Sequence, residues 1–191
     1  YLAGGGGGGA HAGGTNSRGL GGLGGGGNGG DSSNQATAGT ANTGAGAGGD
    51  GANSTDEHGQ SGGSGVVIIT YQTSEITSAS GGTLESGSSI PSGYAVRKFT
   101  SSGTFQISAG SGNVQYVVVA GGGGSGSQVG GGGGAGGFVT GTKSMSSGSY
   151  TVTIGAGGTG ANTDTSTRAT NGANSEFDDV ITLGGGFGAG G

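Results

Sequence analysis

The side chains with the most reactive chemistry are two histidines and two short acidic groups. His11 and His58 lie in glycine-rich or acidic sequence, without the His-x-x-His or Glu-x-x-His spacing that brings metal ligands or catalytic groups together. Asp56-Glu57, and Asp178-Asp179 with Glu176, could offer oxygen ligands to calcium, but they lack the alternating acidic loop and the nonapeptide repeat of calcium sites. The sequence therefore predicts solvated turn acids, no metal site and no cofactor.

Glycine runs such as Gly121–Gly124 share their composition with phosphate-binding loops. A nucleotide-binding loop needs a following helix, with a Lys-Ser/Thr pair or a downstream acid in a βαβ unit, and no segment here has helical periodicity. Serines are numerous, yet none lies on a strand-to-helix turn with a histidine and an acid following in order. We expect no enzymatic activity.

Composition excludes several other classes. Of 191 residues 59 are glycine and only one is proline, with no cysteine and no Gly-X-Y period, so the chain is neither an ordinary globular domain nor a collagen. The net charge is −5 and the five basic residues are scattered, which argues against a nucleic-acid partner. No apolar run approaches the roughly 20 residues that span a membrane.

The elements that could hold a fold together are short β-strands. β-Branched and alternating apolar residues bounded by glycine and serine are typical of strands. Such segments are Val66–Tyr71, a hairpin of Tyr94–Phe99 and Thr104–Ser108, Val114–Ala120, Ser149–Ile154 and a weaker candidate at Phe177–Leu183.

The glycine runs Gly4–Gly9, Gly24–Gly27, Gly121–Gly124 and Gly130–Gly134 need a different structure. Glycine is a poor helix former and offers no side chain to bury. Left-handed polyglycine-II helices, with three residues per turn, can instead pack closely enough to exchange backbone hydrogen bonds. We predict a mainly β fold with polyglycine-II helices: short strands plus a packed bundle of left-handed glycine-rich helices, without α-helix.

Several ordered segments resemble the glycine-rich domain of phage tail-fibre and bacterial surface proteins, which are filament or adhesin-like. The start of that domain is similar to Phe99–Phe105, Val114–Gly124, Gly130–Phe138, Tyr150–Gly158 and Asn171–Phe177, and its end is similar to Gly62–Tyr71. Family members often carry Arg where Thr70 stands. The resemblance covers about four fifths of the chain.

The order of these segments implies an unusual division, because the end of the domain precedes its beginning. Residues 1–72 are expected to be the C-terminal half of one module, residues 73–92 a Ser/Thr/Gly linker, and residues 93–191 the N-terminal half of the next module. Half-modules leave strand edges unpaired, so we expect pairing with other copies or neighbouring modules.

The resemblance implies a non-enzymatic structural and adhesive module of a phage tail fibre or an extracellular filament, self-assembling and located outside the cell or on a virion. Its partners would be further copies of itself and a cell-surface glycan or outer-membrane receptor, without a membrane span. Exposed polar loops provide the candidate receptor-facing residues: Asn16, Arg18, Asn34, Asp56, His58, Asp164 and Arg168.

Two alternatives remain open at this stage. Thr37, Thr40 and Thr43 recur at the spacing of one polyglycine-II turn, which suits the flat threonine face of an ice-binding protein, although no second segment repeats it. A flexible glycine-rich linker is the other alternative, since glycine-rich chains often cannot offset their backbone entropy.

Overall fold

The computed structural model of the chain describes residues 1–11, 17–51, 58–162 and 167–190. These ranges contain β-strands and no helix, which confirms the predicted mainly β fold. They accordingly offer no long apolar helix that could cross a membrane. The strands are β1 (Val66–Gln72), β2 (Ser78–Ser80), β3 (Thr83–Glu85), β4 (Tyr94–Phe99), β5 (Gly103–Ala109), β6 (Gly112–Val119), β7 (Phe138–Met145), β8 (Gly148–Thr153), β9 (Ser175–Phe177) and β10 (Val180–Thr182).

The strands form two antiparallel sheets that pack face to face. The order of one sheet is β3-β4-β1-β6-β7, and that of the other is β10-β9-β8-β5-β2. Their inner faces meet in an aromatic core, where the ring centroid of Phe105 lies 5.9 Å from that of Tyr71 and 6.2 Å from that of Phe177. Phe105 and Ile107 are buried at alternate positions of β5, as a strand with one face on a core requires.

β1 is the central strand of the first sheet and pairs with β4 on one side and β6 on the other. Its run of β-branched residues is buried or half-buried throughout, which is the pattern of a strand covered on both faces. The strand that was expected to end one module therefore pairs with strands expected to begin the next, within a single chain.

Four segments differ in detail from the sequence expectations. The predicted hairpin of Tyr94–Phe99 and Thr104–Ser108 does not form, because β4 and β5 belong to different sheets and pair with other strands. The proposed linker 73–92 contains β2 and β3, which pair with β5 and β4. Phe138–Met145 forms an edge strand that the sequence pattern did not indicate. The weak strand candidate at 177–183 is the second half of a β9–β10 hairpin, whose turn contains Asp178 with a left-handed φ of 56°.

The glycine-rich segments lie outside the strands and are joined to one another by backbone hydrogen bonds. We call the segments 4–10, 19–30, 37–51, 59–65, 121–126, 130–137, 155–161, 170–173 and 184–190 the glycine lattice. β6 runs directly into segment 121–126, and segment 59–65 runs directly into β1. The sandwich thus anchors both segments of the lattice at its edge.

Hydrogen bonding in the glycine lattice repeats every three residues. Along segment 121–126, successive N–H groups donate to three different neighbouring segments in turn. The donor–acceptor pairs are Gly121–Ala173, Gly122–Gly63, Gly123–Gly134, Gly124–Thr170, Ser125–Gln60 and Gly126–Gly131, with N···O distances of 2.9–3.1 Å. A β-strand would alternate between two partners, so this repeat is not that of a sheet.

Burial along the first segment has the same period. Gly4, Gly7 and Ala10 are buried, Gly5 and Gly8 are exposed, and the residues between them are intermediate. Glycine is required where the segments touch, because a Cβ at Gly6 would overlap the carbonyl group of Ala47. At Gly5 and Gly8 a Cβ would meet nothing within 4 Å.

Candidate functional site

The candidate receptor-facing residues lie in several surface segments. Asn16, Asp56 and Asp164 fall outside the described residues. Asn34 and Arg168 are exposed, and Arg18 and His58 are half-buried. The structure groups the four described residues into two regions.

The first region is the turn that follows segment 19–30 of the lattice. The carboxylate of Asp31 accepts hydrogen bonds from the N–H groups of Ser33 and Asn34, each at 2.8 Å, and from the Asn34 amide at 2.9 Å. These bonds, with the Asn34 amide first and a smaller contribution from the charge of Arg18, lower the pKa of Asp31. Asn34 is therefore part of a fixed, anionic turn with Arg18 nearby, and Asp31 is the member that the sequence did not single out.

The second region is a cleft of about 560 Å³ beside Arg168. Arg168 follows Thr167, which forms an isolated bridge with Asn162. Segment 184–190 supplies another wall through Phe187, a residue that is 46% exposed and whose N–H donates to the Asn171 side chain at 3.0 Å.

The third wall of the cleft is a turn in left-handed conformation. Gln128 and Val129 have φ values of 49° and 62°, which β-branched residues such as valine rarely adopt. Their neighbours Gly126 and Gly130 are fixed by lattice hydrogen bonds, and these hold the turn at both ends. Such conformations persist only where the surroundings impose them, and they cluster at functional sites.

His58 lies next to a residue that is hydrogen-bonded to the wall of the cleft. It precedes Gly59, whose N–H donates at 2.9 Å to the carbonyl of Ala161, a residue in the wall of the cleft. The structure thus brings two predicted residues, His58 and Arg168, to one region. Sequence reasoning missed Gln128 and Phe187, for which the only available signal was the interruption of glycine runs by larger residues.

The cleft combines cationic, polar and aromatic groups. A guanidinium, the amides of Gln128 and Asn162 and an exposed aromatic ring lie around one depression. These groups can contact a polar or anionic ligand through charge-assisted hydrogen bonds and apolar contact. In the described ranges there is no group of three or more histidine, cysteine or acidic residues that could hold a metal ion.

The acids of the β9–β10 turn have a structural partner that the sequence did not reveal. The ammonium group of Lys143 on β7 donates to Asp178 and, at 2.6 Å, to Asp179, so the prediction of simple solvated acids was incomplete. The hydrogen bonds to Asp178 and then Asp179 raise the pKa of Lys143, and the bond from Lys143 lowers that of Asp179. The cluster ties the edge strands of the two sheets together.

Part of the chain is similar to a known protein family. Residues 100–191 match a family model described as a glycine-rich domain. The match includes β5 to β10 and the lattice segments between them. No curated protein and no solved structure showed a significant match. The glycine-rich domain expected from the sequence is therefore supported.

Proposed function

We propose that this chain is a non-enzymatic structural and adhesive module of a phage tail fibre or an extracellular filament. The observation that carries the proposal is the glycine lattice, in which backbone hydrogen bonds with a three-residue repeat take the place of side-chain packing. Such a construction suits a stiff scaffold, because its interior is held mainly by backbone hydrogen bonds and its surface is left to polar loops.

The lattice segments are, in this proposal, left-handed polyglycine-II helices. Three features support it: donors that rotate through three neighbours, burial with a period of three, and a lack of room for Cβ atoms between segments. Polyglycine-II has three residues per turn and no internal hydrogen bonds, so every backbone group points to a neighbour. A backbone N–H or C=O group that is buried without a hydrogen-bond partner would cost free energy.

Rigidity follows from the number of neighbours that each segment has. Segment 4–10 exchanges hydrogen bonds with segments 19–30, 37–51 and 130–137. Releasing it would leave backbone groups from several segments unpaired at once. A module built in this way resists local opening, which is the property that a fibre outside a cell needs against proteases.

Adhesion is assigned to the two polar surface regions. The cleft beside Arg168 and the turn of Asp31 and Asn34 stand on the rigid lattice, as loops that carry function commonly do. The proposed partners are a cell-surface glycan or an outer-membrane receptor, together with other copies of this chain or neighbouring modules.

One observation argues against the ice-binding alternative. The Thr37 hydroxyl accepts a hydrogen bond from the Asn28 N–H at 2.8 Å, and the Thr43 hydroxyl donates to the Thr40 carbonyl at 2.7 Å. Two of the three spaced threonines therefore use their hydroxyls within the fold. An ice-binding face would instead present these hydroxyls in a regular outward array.

Proteolysis of the purified full chain with a broad-specificity protease tests the proposal. We expect the main body of the chain to persist, and Gly6→Ala to be digested about 30-fold faster, the factor that about 2 kcal/mol produces in an opening equilibrium. Gly5→Ala, at the neighbouring exposed position, is the matched control and should be digested like the wild type. Rapid digestion of all three proteins at one rate would favour the flexible linker.

A further inference from the structure

The two lateral sides of the sandwich are built differently. On one side the edge strands are β3 and β2, each three residues long, and the pairing of β2 is irregular between Ser78 and Ala79. Short and bulged edges are a common protection against pairing with another chain. On the other side the first sheet ends in β7, a strand of eight residues without proline.

The backbone groups on the outer edge of β7 are placed to pair with a further strand. In the described part of the chain β7 pairs only with β6, in a regular register from Gly112–Met145 to Val119–Phe138. One step beyond, the N–H of Ala120 donates to the carbonyl of Gly137 at 3.0 Å. In an antiparallel pair, every second residue of a strand directs its N–H and C=O groups at the partner strand. On β7 these residues are Val139, Gly141 and Lys143, whose backbone groups point towards β6. Those of the residues between them, such as Thr140 and Thr142, then point outward.

Exposed apolar side chains accompany this free edge. Phe138 and Val139 at the start of β7 are exposed, and so are Ile181 and Leu183 at the end of the β9–β10 hairpin. The two groups are adjacent, because the N–H of Gly137 donates to the carbonyl of Leu183 at 2.8 Å. An open ladder beside apolar side chains is a surface on which a further strand gains both hydrogen bonds and burial.

The charge at this edge does not oppose such pairing. β7 has one charged residue, Lys143, and lysine at an edge normally repels a second chain. Here its ammonium group is held by Asp178 and Asp179, which offset its charge. The Lys143 charge therefore does little to repel a second chain from this edge.

We propose that β7 pairs antiparallel with β7 of a second copy of this chain, across a two-fold axis at Gly141. This inference deepens the proposed function, on which it rests, by naming the surface and the partner. In that register Thr140 lies opposite Thr142 of the second copy, and the outward backbone groups of both residues form hydrogen bonds. Cross-strand threonine pairs are favourable, and Lys143 meets Val139 rather than another lysine.

The test is sedimentation equilibrium of the full chain, with two variants at one position. Thr142→Pro removes an outward N–H from each copy, whereas Thr142→Val keeps the N–H and removes only the hydroxyl. We expect concentration-dependent dimers for the wild type and Thr142→Val, and dissociation at least about tenfold stronger for Thr142→Pro, since two hydrogen bonds are lost per dimer. Equal melting temperatures of the monomers would show that the fold is intact.

Amide hydrogen exchange of the wild type gives a second readout that needs no variant. Exchange of Thr140 and Thr142 should slow as the protein concentration rises, while that of Gly141, which is already paired with β6, should not change. A wild type that stays monomeric, or dimers with unaltered exchange at Thr140 and Thr142, would overturn the inference. In the latter case the copies join elsewhere and the proposed function stands, whereas that function fails separately if the glycine lattice is rapidly digested.

Discussion

Gly6→Ala should destabilise the chain by about 2–3 kcal/mol, whereas Gly5→Ala, one residue earlier, should be neutral or stabilising by about 0.5 kcal/mol. A methyl group at Gly6 overlaps the backbone of Ala47 in the adjacent segment, and backbone cannot move aside as a flexible side chain can. At Gly5 the same methyl group points into open space, in a backbone conformation that alanine adopts. There the substitution mainly reduces the entropy of the unfolded chain.

The two neighbouring substitutions are expected to change the free energy of unfolding differently, and this difference is specific to the packing of the lattice. Denaturant unfolding of both variants measures the effect, and a second pair provides a replicate at the other end of the chain. Gly185→Ala is expected to be costly because its Cβ would strike Gly134, and Gly186→Ala is expected to be neutral because nothing lies within 4 Å. Equal unfolding free energies within both pairs would show that the segments do not pack as described.

Phe105→Ala should cost about 3–5 kcal/mol, the usual effect of removing a fully buried aromatic ring. Phe105 has no exposed surface and lies between Tyr71 of the first sheet and Phe177 of the second, so its loss leaves a cavity between both layers. Because segment 121–126 follows β6 and segment 59–65 leads directly into β1, the lattice should unfold in the same transition as the sandwich.

Phe187→Ala is the control for this substitution. It removes the same side chain from a position that is 46% exposed in the wall of the cleft, and should cost less than about 1 kcal/mol. Thermal unfolding followed by near- and far-ultraviolet circular dichroism measures both variants. Two separate transitions in Phe105→Ala would show that the lattice holds itself together without the sandwich.

The strands could be predicted where side chains determined them. Val66–Tyr71 and Val114–Ala120 have runs of β-branched residues that only a buried strand accommodates well. The first lies within β1, and all of the second except Ala120 lies within β6. β7 was missed because its sequence mixes threonine, lysine and Gly141 without an apolar face. Gly141 is needed there, since the ring of Tyr116 occupies the space that a Cβ would take.

The neighbours of each glycine segment could not be predicted, for a physical reason. Side chains normally specify which elements meet, and a run such as Gly130–Gly134 has none to distinguish its partners. The anchoring strands supply that information: β6 fixes where segment 121–126 begins, and its register with β7 fixes segment 130–137. Low-complexity sequence thus acquires a defined position from the strands beside it.

The candidate site was predictable only as a set of polar loops. The position of Arg168 in a cleft depends on Gln128 and Phe187, which are distant in sequence and come together through lattice hydrogen bonds. The pairing of Lys143 with Asp178 spans 35 residues and depends on how the two sheets are stacked. Neither arrangement has a local sequence signal.

The central claim is that successive residues of a glycine segment donate hydrogen bonds to three different neighbours. Nuclear magnetic resonance couplings transmitted through hydrogen bonds measure this directly, by connecting each amide nitrogen with the carbonyl carbon of its acceptor. We predict couplings from the amides of Gly121, Gly122 and Gly123 to the carbonyls of Ala173, Gly63 and Gly134, respectively, with the cycle starting again at Gly124 and Thr170. Couplings that alternate between two neighbouring segments, or none at all in this segment, would contradict the account.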